Sequence, residues 1–287
     1  MPDRVVDTHM RFWDLSTGWY PAIYSYAESV NTPELTQAFG VDEYLDAAAD
    51  FPVQKFVHVA AATTGRYYLD ELKWISGLAA DRSVDMRFIG NLDPRLPETD
   101  IIADLDAQLA IAPDLAGIHV IYDFAPDSPA VRPVLTWLNE HGLVFDLVAQ
   151  PDEVTDWLRV LAPFPDLTVA LEHTGFPTSP DDDVFAEWLA AIQTCARDTA
   201  MYCKVSGLSL VTNTFAVAAL RRWVEPAIET FGWDRVMFGS NFPVHRIAGT
   251  YVELQQAYEA ILGDQPPADQ DRFYAANAIK AYGFDDD

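Results

Sequence analysis

The chain has 287 residues, half of them hydrophobic and 22% charged, enough for one large buried core and unlike a disordered segment. Its 44 acidic and 18 basic residues give a formal net charge of −26, which repels nucleic acid and anionic membrane surfaces. No apolar run approaches the roughly 20 residues of a bilayer-spanning helix. The start Met1-Pro2-Asp3-Arg4 lacks a leader pattern, and Cys195 and Cys203 cannot build a disulfide framework, so a cytoplasmic protein with free thiols is expected.

Short apolar stretches alternate with longer amphipathic ones. Strands are expected at 5–9, 55–60, 86–92, 117–121, 143–148, 167–173, 201–206 and 235–240. Helices are expected at 41–49, 66–80, 154–161, 185–195, 220–231, 251–261 and 270–281, where apolar residues recur at the helical period. In 66–80, for example, Tyr68, Leu72, Ile75 and Ala79 share one face. The helix at 154–161 follows Gln150-Pro151-Asp152-Glu153, a turn with acidic residues at the helix start. His141 before Gly142 marks another helix end. Apolar strands separated by helices imply a parallel sheet covered on both faces. Eight such units, read as one domain over 1–287, favour an α/β fold of the closed (β/α)8 TIM-like type. An open doubly wound sheet is the alternative, but no Gly-x-Gly-x-x-Gly follows the first strand and no dinucleotide cofactor is expected. Residues 10–40 break the alternation: Phe12, Trp13, Trp19, Tyr20, Tyr24, Tyr26 and Phe39 crowd a long loop after strand one. It reads either as a lid over the barrel mouth or as ordinary loop packing. Asp285-Asp286-Asp287 reads as a solvated end.

A barrel gathers the C-terminal ends of its strands around one cavity. His9 and Arg11 end strand one, His58 lies in strand two, and Asn91 and Asp93 end strand three. His119 and Tyr122 lie at strand four, Asp146 in strand five, and Glu172 and His173 end strand six. Lys204 and Ser206 belong to strand seven; Asn241 ends strand eight, with His245 and Arg246 just beyond. So many histidines at strand ends read as a pocket, although any one of them also suits a hydrogen-bonded core position. Arg11, Lys204 and Arg246 would make the mouth locally positive in an acidic chain, as an anionic substrate requires. The competing reading pairs Arg11 with Asp7 or Asp14.

Six segments, in this order and spacing, resemble the amidohydrolase superfamily over nearly the whole chain. They are Val6-Asp7-Thr8-His9-Met10-Arg11-Phe12-Trp13-Asp14, Ala116-Gly117-Ile118-His119-Val120, Phe145-Asp146-Leu147, Leu171-Glu172-His173-Thr174-Gly175-Phe176-Pro177, Tyr202-Cys203-Lys204-Val205-Ser206-Gly207-Leu208, and 231–244 with Gly239-Ser240-Asn241-Phe242-Pro243. The branch resembled is that of sugar-lactone, muconolactone and pyrone-dicarboxylate hydrolases. The resemblance implies a βα barrel that hydrolyses a small ring. It makes His9 the first histidine of a strand-one pair and His173 the strand-six histidine. The second histidine's place is held by Arg11, and that of the strand-eight aspartate by Asn241. Arginine has no lone pair for a metal, and asparagine is no carboxylate base. His9 and His173 alone are poor material for a tetrahedral site, so no metal is expected.

The expectation is therefore metal-independent hydrolysis of a small anionic lactone or related carboxylated ring, without a cofactor. Arg11 and Lys204 would bind or polarise its oxygens. His173 and His119 would move the proton, with Asn241 and His245 as positioning groups. His9, His58, Asn91, Tyr122, Asp146, Ser206 and Arg246 are further pocket candidates, and Trp13 and Trp19 would cover a planar substrate. A nonoxidative decarboxylase, lyase or isomerase acting on a small aromatic or cyclic acid is one alternative. A noncatalytic small-molecule-binding protein is another. The partner in each case is a small organic anion, not nucleic acid or membrane, with self-association left open.

Overall fold

Eight short apolar segments become eight parallel strands that pair strictly in chain order in the computed structural model, which describes residues 2–285. They are β1 (Val5–Met10), β2 (Val53–Val59), β3 (Asp85–Gly90), β4 (Leu115–His119), β5 (Val144–Leu147), β6 (Val169–Leu171), β7 (Tyr202–Val205) and β8 (Val236–Phe238). Each lies within about two residues of its sequence expectation. Asp286 and Asp287 of the expected acidic end lie outside the described residues.

The sheet closes just past β8. Met10 bridges Phe242, the Asn241 N–H donates to the His9 carbonyl at 2.7 Å, and the Arg11 N–H donates to the Phe242 carbonyl at 2.9 Å. The Asp7 carboxylate clamps the same seam. It accepts from the Ser240 N–H at 2.8 Å, the His9 N–H at 3.2 Å and the Tyr44 hydroxyl at 2.5 Å. The closure sets Asn241 beside Arg11.

Helices cover the outside: α1 (Pro21–Ser29), α2 (Val41–Ala48), α3 (Tyr67–Arg82), α4 (Glu98–Ile111), α5 (Val131–His141), α6 (Val154–Leu161), α7 (Asp182–Asp198), α8 (Ser209–Thr212), α9 (Val217–Phe231), α10 (Tyr251–Leu262), α11 (Pro267–Asp271) and α12 (Asn277–Tyr282). α4 has no expectation in its place because its inner face is half polar. Asp104 and Gln108 are buried with Ile101 and Leu105. Asp104 takes the Tyr68 hydroxyl and the Arg66 guanidinium, and Gln108 donates to the Asn91 carbonyl at 3.0 Å. The single closing helix expected at 270–281 is instead α11, a turn of π-helix at Arg272–Ala276, and α12. Asn277 anchors that segment beneath β8, donating to the Trp233 and Val236 carbonyls at 2.7 and 2.8 Å. Among the described residues no helix is long and apolar enough to cross a membrane.

Strand side chains alternate between two compartments. Phe145, Leu171, Val205 and Phe238 pack outward against the helices. Val6, Val57, Ile89, Val144, Ala170 and Met237 fill the lumen, where Ile279 and Tyr282 of α12 plug it. By the same alternation Asp146, Glu172, Lys204 and Ser206 face inward. Lys204 pairs with Asp146 in complete burial, and the Tyr282 hydroxyl donates to the other Asp146 oxygen at 2.9 Å. Burial pushes the Asp146 carboxyl up while Lys204 pulls against it.

Breaking a buried ion pair strands one charge, whereas removing both partners does not. Lys204→Met or Asp146→Leu alone is expected to cost about 3–5 kcal/mol in urea denaturation, and the double variant less than the sum of the two.

Candidate active site

At the C-terminal ends of the strands, three imidazoles close around one carboxylate. His9 (β1), His119 (β4) and Glu172, which follows β6, are all within 1% of full burial, and His173 is nearly so. The His9 and His173 rings lie 4.3 Å apart, centroid to centroid. Glu172 Oε1 is 3.2 Å from His119 Nδ1 and 3.8 Å from His9 Nδ1. His119 Nε2 faces the Ala60 carbonyl at 3.0 Å. A carbonyl only accepts, so Nε2 carries the hydrogen and a neutral His119 turns its Nδ1 lone pair toward a carboxylate. That juxtaposition calls for a cation: a proton on Nδ1, or a metal ion between the groups.

The backbone that delivers Glu172 and His173 is strained. His173, Thr174 and Phe176 have positive φ (48°, 58° and 48°), a region that non-glycine residues seldom adopt. Trp188 Nε1 donates to the Thr174 carbonyl at 2.6 Å, and the Thr174 hydroxyl donates to the Ser206 carbonyl at 3.0 Å. Ser206 Oγ holds His173 Nδ1 at 3.0 Å and leaves the other ring nitrogen available. Gly207 sits at φ +71°, a region that favours glycine, and a Cβ there would fall 2.4 Å from His173 Cγ. Its role is thus to make room for the imidazole, beyond easing the turn after β7.

Electrostatics prepares these groups as donors. Burial drives the His9 imidazole well below its ordinary range, with Arg11 adding to the effect. Burial likewise lowers His173 to about 3, against the opposing pull of Glu172. Burial by itself would raise the Glu172 carboxyl, but His119, Lys204 and His173 outweigh it and hold the group at about 2. The site therefore offers two neutral imidazoles and one ionised carboxylate, with donor atoms within 4.8 Å of one another. Both His9 nitrogens and Glu172 Oε1 lack any hydrogen-bond partner although they are buried. Orphaned donors of this kind fit a divalent metal, and two nitrogens plus a carboxylate form the three-ligand set of a catalytic zinc with one position open.

Arg11 stands at the same mouth. Its Nη1 donates to Asn241 Oδ1 at 2.8 Å, which orients the amide and leaves the buried Asn241 Nδ2 without an acceptor. Only 9% exposed, Arg11 has no carboxylate at ion-pairing distance among the described residues. Asp7 is committed to the seam, and Asp14 accepts from the Ser16 N–H at 2.9 Å. The nearby Glu71, buried and bonded to the Ala61 N–H at 3.2 Å, is pushed by burial up to about 8 and offers Arg11 little negative charge at neutral pH. A cavity of about 1010 Å³ opens over Arg11, Glu172 and His173, with Tyr122, Phe176 and Leu210 on its walls.

Other expected site residues lie elsewhere. Lys204 and Asp146 are spent on each other inside the barrel and do not line the cavity. His58 packs its ring 5.8 Å from Phe12. Asn91 accepts from its neighbour's N–H, at Leu92, at 2.8 Å. His245 is buried beyond β8 near Phe215, and burial takes it down to about 3. Trp13 is core: its Nε1 donates to the Gln37 carbonyl at 3.0 Å and its backbone bridges Phe39. Trp19 stacks on Tyr67, and the Arg246 guanidinium lies over Phe39. The aromatic stretch after β1 thus packs largely on itself, and of its residues only Arg11 lines the cavity. Glu172 was visible as a strand-end residue but carried no assigned role. Its position two residues after the lumen-facing Ala170 was the available signal. A second recess of about 970 Å³ opens near the starts of β6 and β7, lined in part by Phe164, Met201 and Arg235. Arg235 is occupied by the carbonyls of Phe231, Ala196 and Thr199.

An amidohydrolase family model matches residues 6–284, and the chain belongs to that family. It is 27% identical to an L-fucono-1,5-lactonase of Burkholderia ambifaria, over 98% of this chain and 96% of that protein. It is 26% identical to an uncharacterized protein of Sinorhizobium fredii, over 97% and 98% of the two chains. Among solved structures it resembles an amidohydrolase of Burkholderia multivorans with bound zinc (TM-score 0.81, 22% identity, 97% and 99% covered). The expectation of metal independence is overturned by the His9, Glu172 and His173 donor set, together with the zinc found in that similar protein. Arginine and asparagine do occupy the two departing positions, but Glu172 supplies a donor that counting those positions overlooks.

Three outcomes follow. Gly207→Ala is expected to displace the His173 ring and weaken zinc binding about tenfold or more in calorimetry, and Ser206→Ala to weaken it within the roughly 10–100-fold range of a lost orienting bond. A raised carboxyl pKa favours the native state below the unfolded value of 4.5, and that advantage is lost as pH rises through about 8. Urea titrations from pH 5 to 8 should therefore show the unmodified protein losing about 3–5 kcal/mol relative to Glu71→Gln, which mimics the neutral acid.

Proposed function

We propose that this chain is a metal-assisted hydrolase of a small anionic ring, most simply a lactone. The observation that carries this reading is the buried Glu172 set among His9, His119 and His173, beside an arginine with no carboxylate at ion-pairing distance among the described residues. The two curated lactonases at 27% identity support the choice of ring.

His9, Glu172 and His173 would hold the metal. Bound there, it would supply a Lewis acid for the ring carbonyl and lower the pKa of water. Arg11 binds the substrate's negative charge through parallel N–H donors. Because Arg11 fixes the Asn241 oxygen, the Asn241 Nδ2–H group is aimed as a donor to a substrate oxygen as charge develops on it. Asn241 takes no proton. His119, with Nε2–H committed to Ala60, holds or releases a proton at Nδ1, and His173 is kept in orientation by Ser206. The barrel interior behind Glu172 excludes water, which strengthens each of these interactions. A net charge of −26 suits a small-molecule partner and disfavours nucleic acid and anionic membrane surfaces.

Zinc titration should show one equivalent per chain in the unmodified protein and none in Glu172→Gln. A panel of carboxylated lactones with mass-resolved products should show gain of one water. Arg11→Met should raise KM by about tenfold or more while leaving the zinc content intact. Loss of carbon dioxide, an unchanged product mass, or turnover that survives Glu172→Gln without zinc would overturn the reading.

A further inference from the structure

We infer that the substrate is a monoanion with an apolar body: its charged oxygens lie at Arg11, and an aryl or alkyl body lies against Tyr122, Phe176 and Leu210. This rests on the proposed reaction only for the identity of the ring.

Three observations carry it. Tyr122 is 62% exposed and Leu210 44%, among the few large hydrophobic side chains that the fold leaves in water. They come from different segments, the loop after β4 and the helix α8 after β7, yet both line the cavity over Glu172 and His173, with the half-buried Phe176. Exposed apolar groups converging on a polar site mark a binding surface.

The second observation is size. At about 1010 Å³ the cavity is at the upper end of the roughly 300–1,000 Å³ typical of small-molecule sites, far more than a single five- or six-membered ring fills. Val120, Ile121 and Val148 add to the apolar lining. Apart from His173 and the Tyr122 hydroxyl, the neutral polar groups on the wall are Ser128 and Gln150, and Gln150 is exposed.

The third is the gradient of charge. At the base stand the Arg11 cation, hydrogen-bonded to Asn241, and the Glu172 carboxylate of the donor set, whose charge a bound divalent ion would outweigh. Toward the mouth the cavity is bordered by Asp123, Asp127 and Glu153. Among the described residues the other cation of the lining is Arg95, bound through two nitrogens to Asp93 at 2.8 and 2.9 Å and 3.8 Å from Asp123. A second carboxylate pointing outward would meet acids, and a polyol would leave its hydroxyls against Val120, Ile121 and Tyr122. Dicarboxylates and sugar acids therefore fit the gradient poorly, and a monoanion with a hydrocarbon tail fits it well.

The test is calorimetric titration of the full-length, zinc-supplemented protein with acetate, hexanoate, phenylbutanoate, adipate and gluconate. Affinity is expected to rise about tenfold or more from acetate to hexanoate and again to phenylbutanoate, with adipate and gluconate at least about tenfold weaker than hexanoate. Tyr122→Ala and Leu210→Ala should each weaken phenylbutanoate about tenfold more than acetate. Adipate or gluconate binding as tightly as hexanoate, an equal effect of both substitutions on acetate and phenylbutanoate, or no binding of any of these acids would overturn the inference. Because the order is read without turnover, a failure of lactone hydrolysis would be a separate result.

Discussion

A carboxylate shut away from water keeps its charge only where positive charge is already arranged around it. Glu172 meets that condition. Burial alone would neutralise it, and His119, Lys204 and His173 reverse the balance. Much of the local structure follows from this. Positive-φ residues deliver Glu172 and His173 to the mouth, Ser206 and Gly207 shape the space for the His173 ring, and the pair Lys204–Asp146 supports the field from below. Fixed donors in a dry cavity do not have to reorganise when charge develops, which is the physical advantage such an arrangement offers to catalysis.

The barrel serves this centre by division of labour along its axis. At the strand starts the lumen is hydrocarbon, sealed by Ile279 and Tyr282. Midway it holds one internally neutralised ion pair. At the strand ends polar atoms of His9, Glu172 and Asn241 remain without partners beside the Arg11 cation, and the cavity there is lined by Arg11, Glu172 and His173. A buried polar atom without a partner costs free energy, and those of this donor set lie where a ligand can satisfy them. The seam where β8 meets β1 has a double duty. Asp7, with Ser240 and Tyr44, closes the barrel, and the same closure brings the Arg11 guanidinium to the Asn241 amide.

The sequence expectations divide by whether a residue's fate depends on neighbours along the chain or across the barrel. All eight strands and the helices α2, α3, α6, α7, α9 and α10 were legible because apolar periodicity is a local property. α4 was not, because Asp104 and Gln108 interrupt its apolar face and are satisfied only by Tyr68, Arg66 and Asn91 from other elements. His9, His173 and Arg11 could be placed at the mouth from their strand-end positions. Trp13 and Trp19, whose composition suggested a cover, turn to Gln37 and Tyr67 instead.

By itself the sequence determined the βα alternation, the barrel, the amidohydrolase resemblance and the two substituted positions at Arg11 and Asn241. Tertiary structure decided what those substitutions mean. Whether Lys204 reaches a substrate or an internal aspartate, and whether two histidines gain a third donor, depends on which lumen-facing side chains from distant strands arrive at the same height. Strand register and barrel closure set that height, and neither leaves a trace in any single segment.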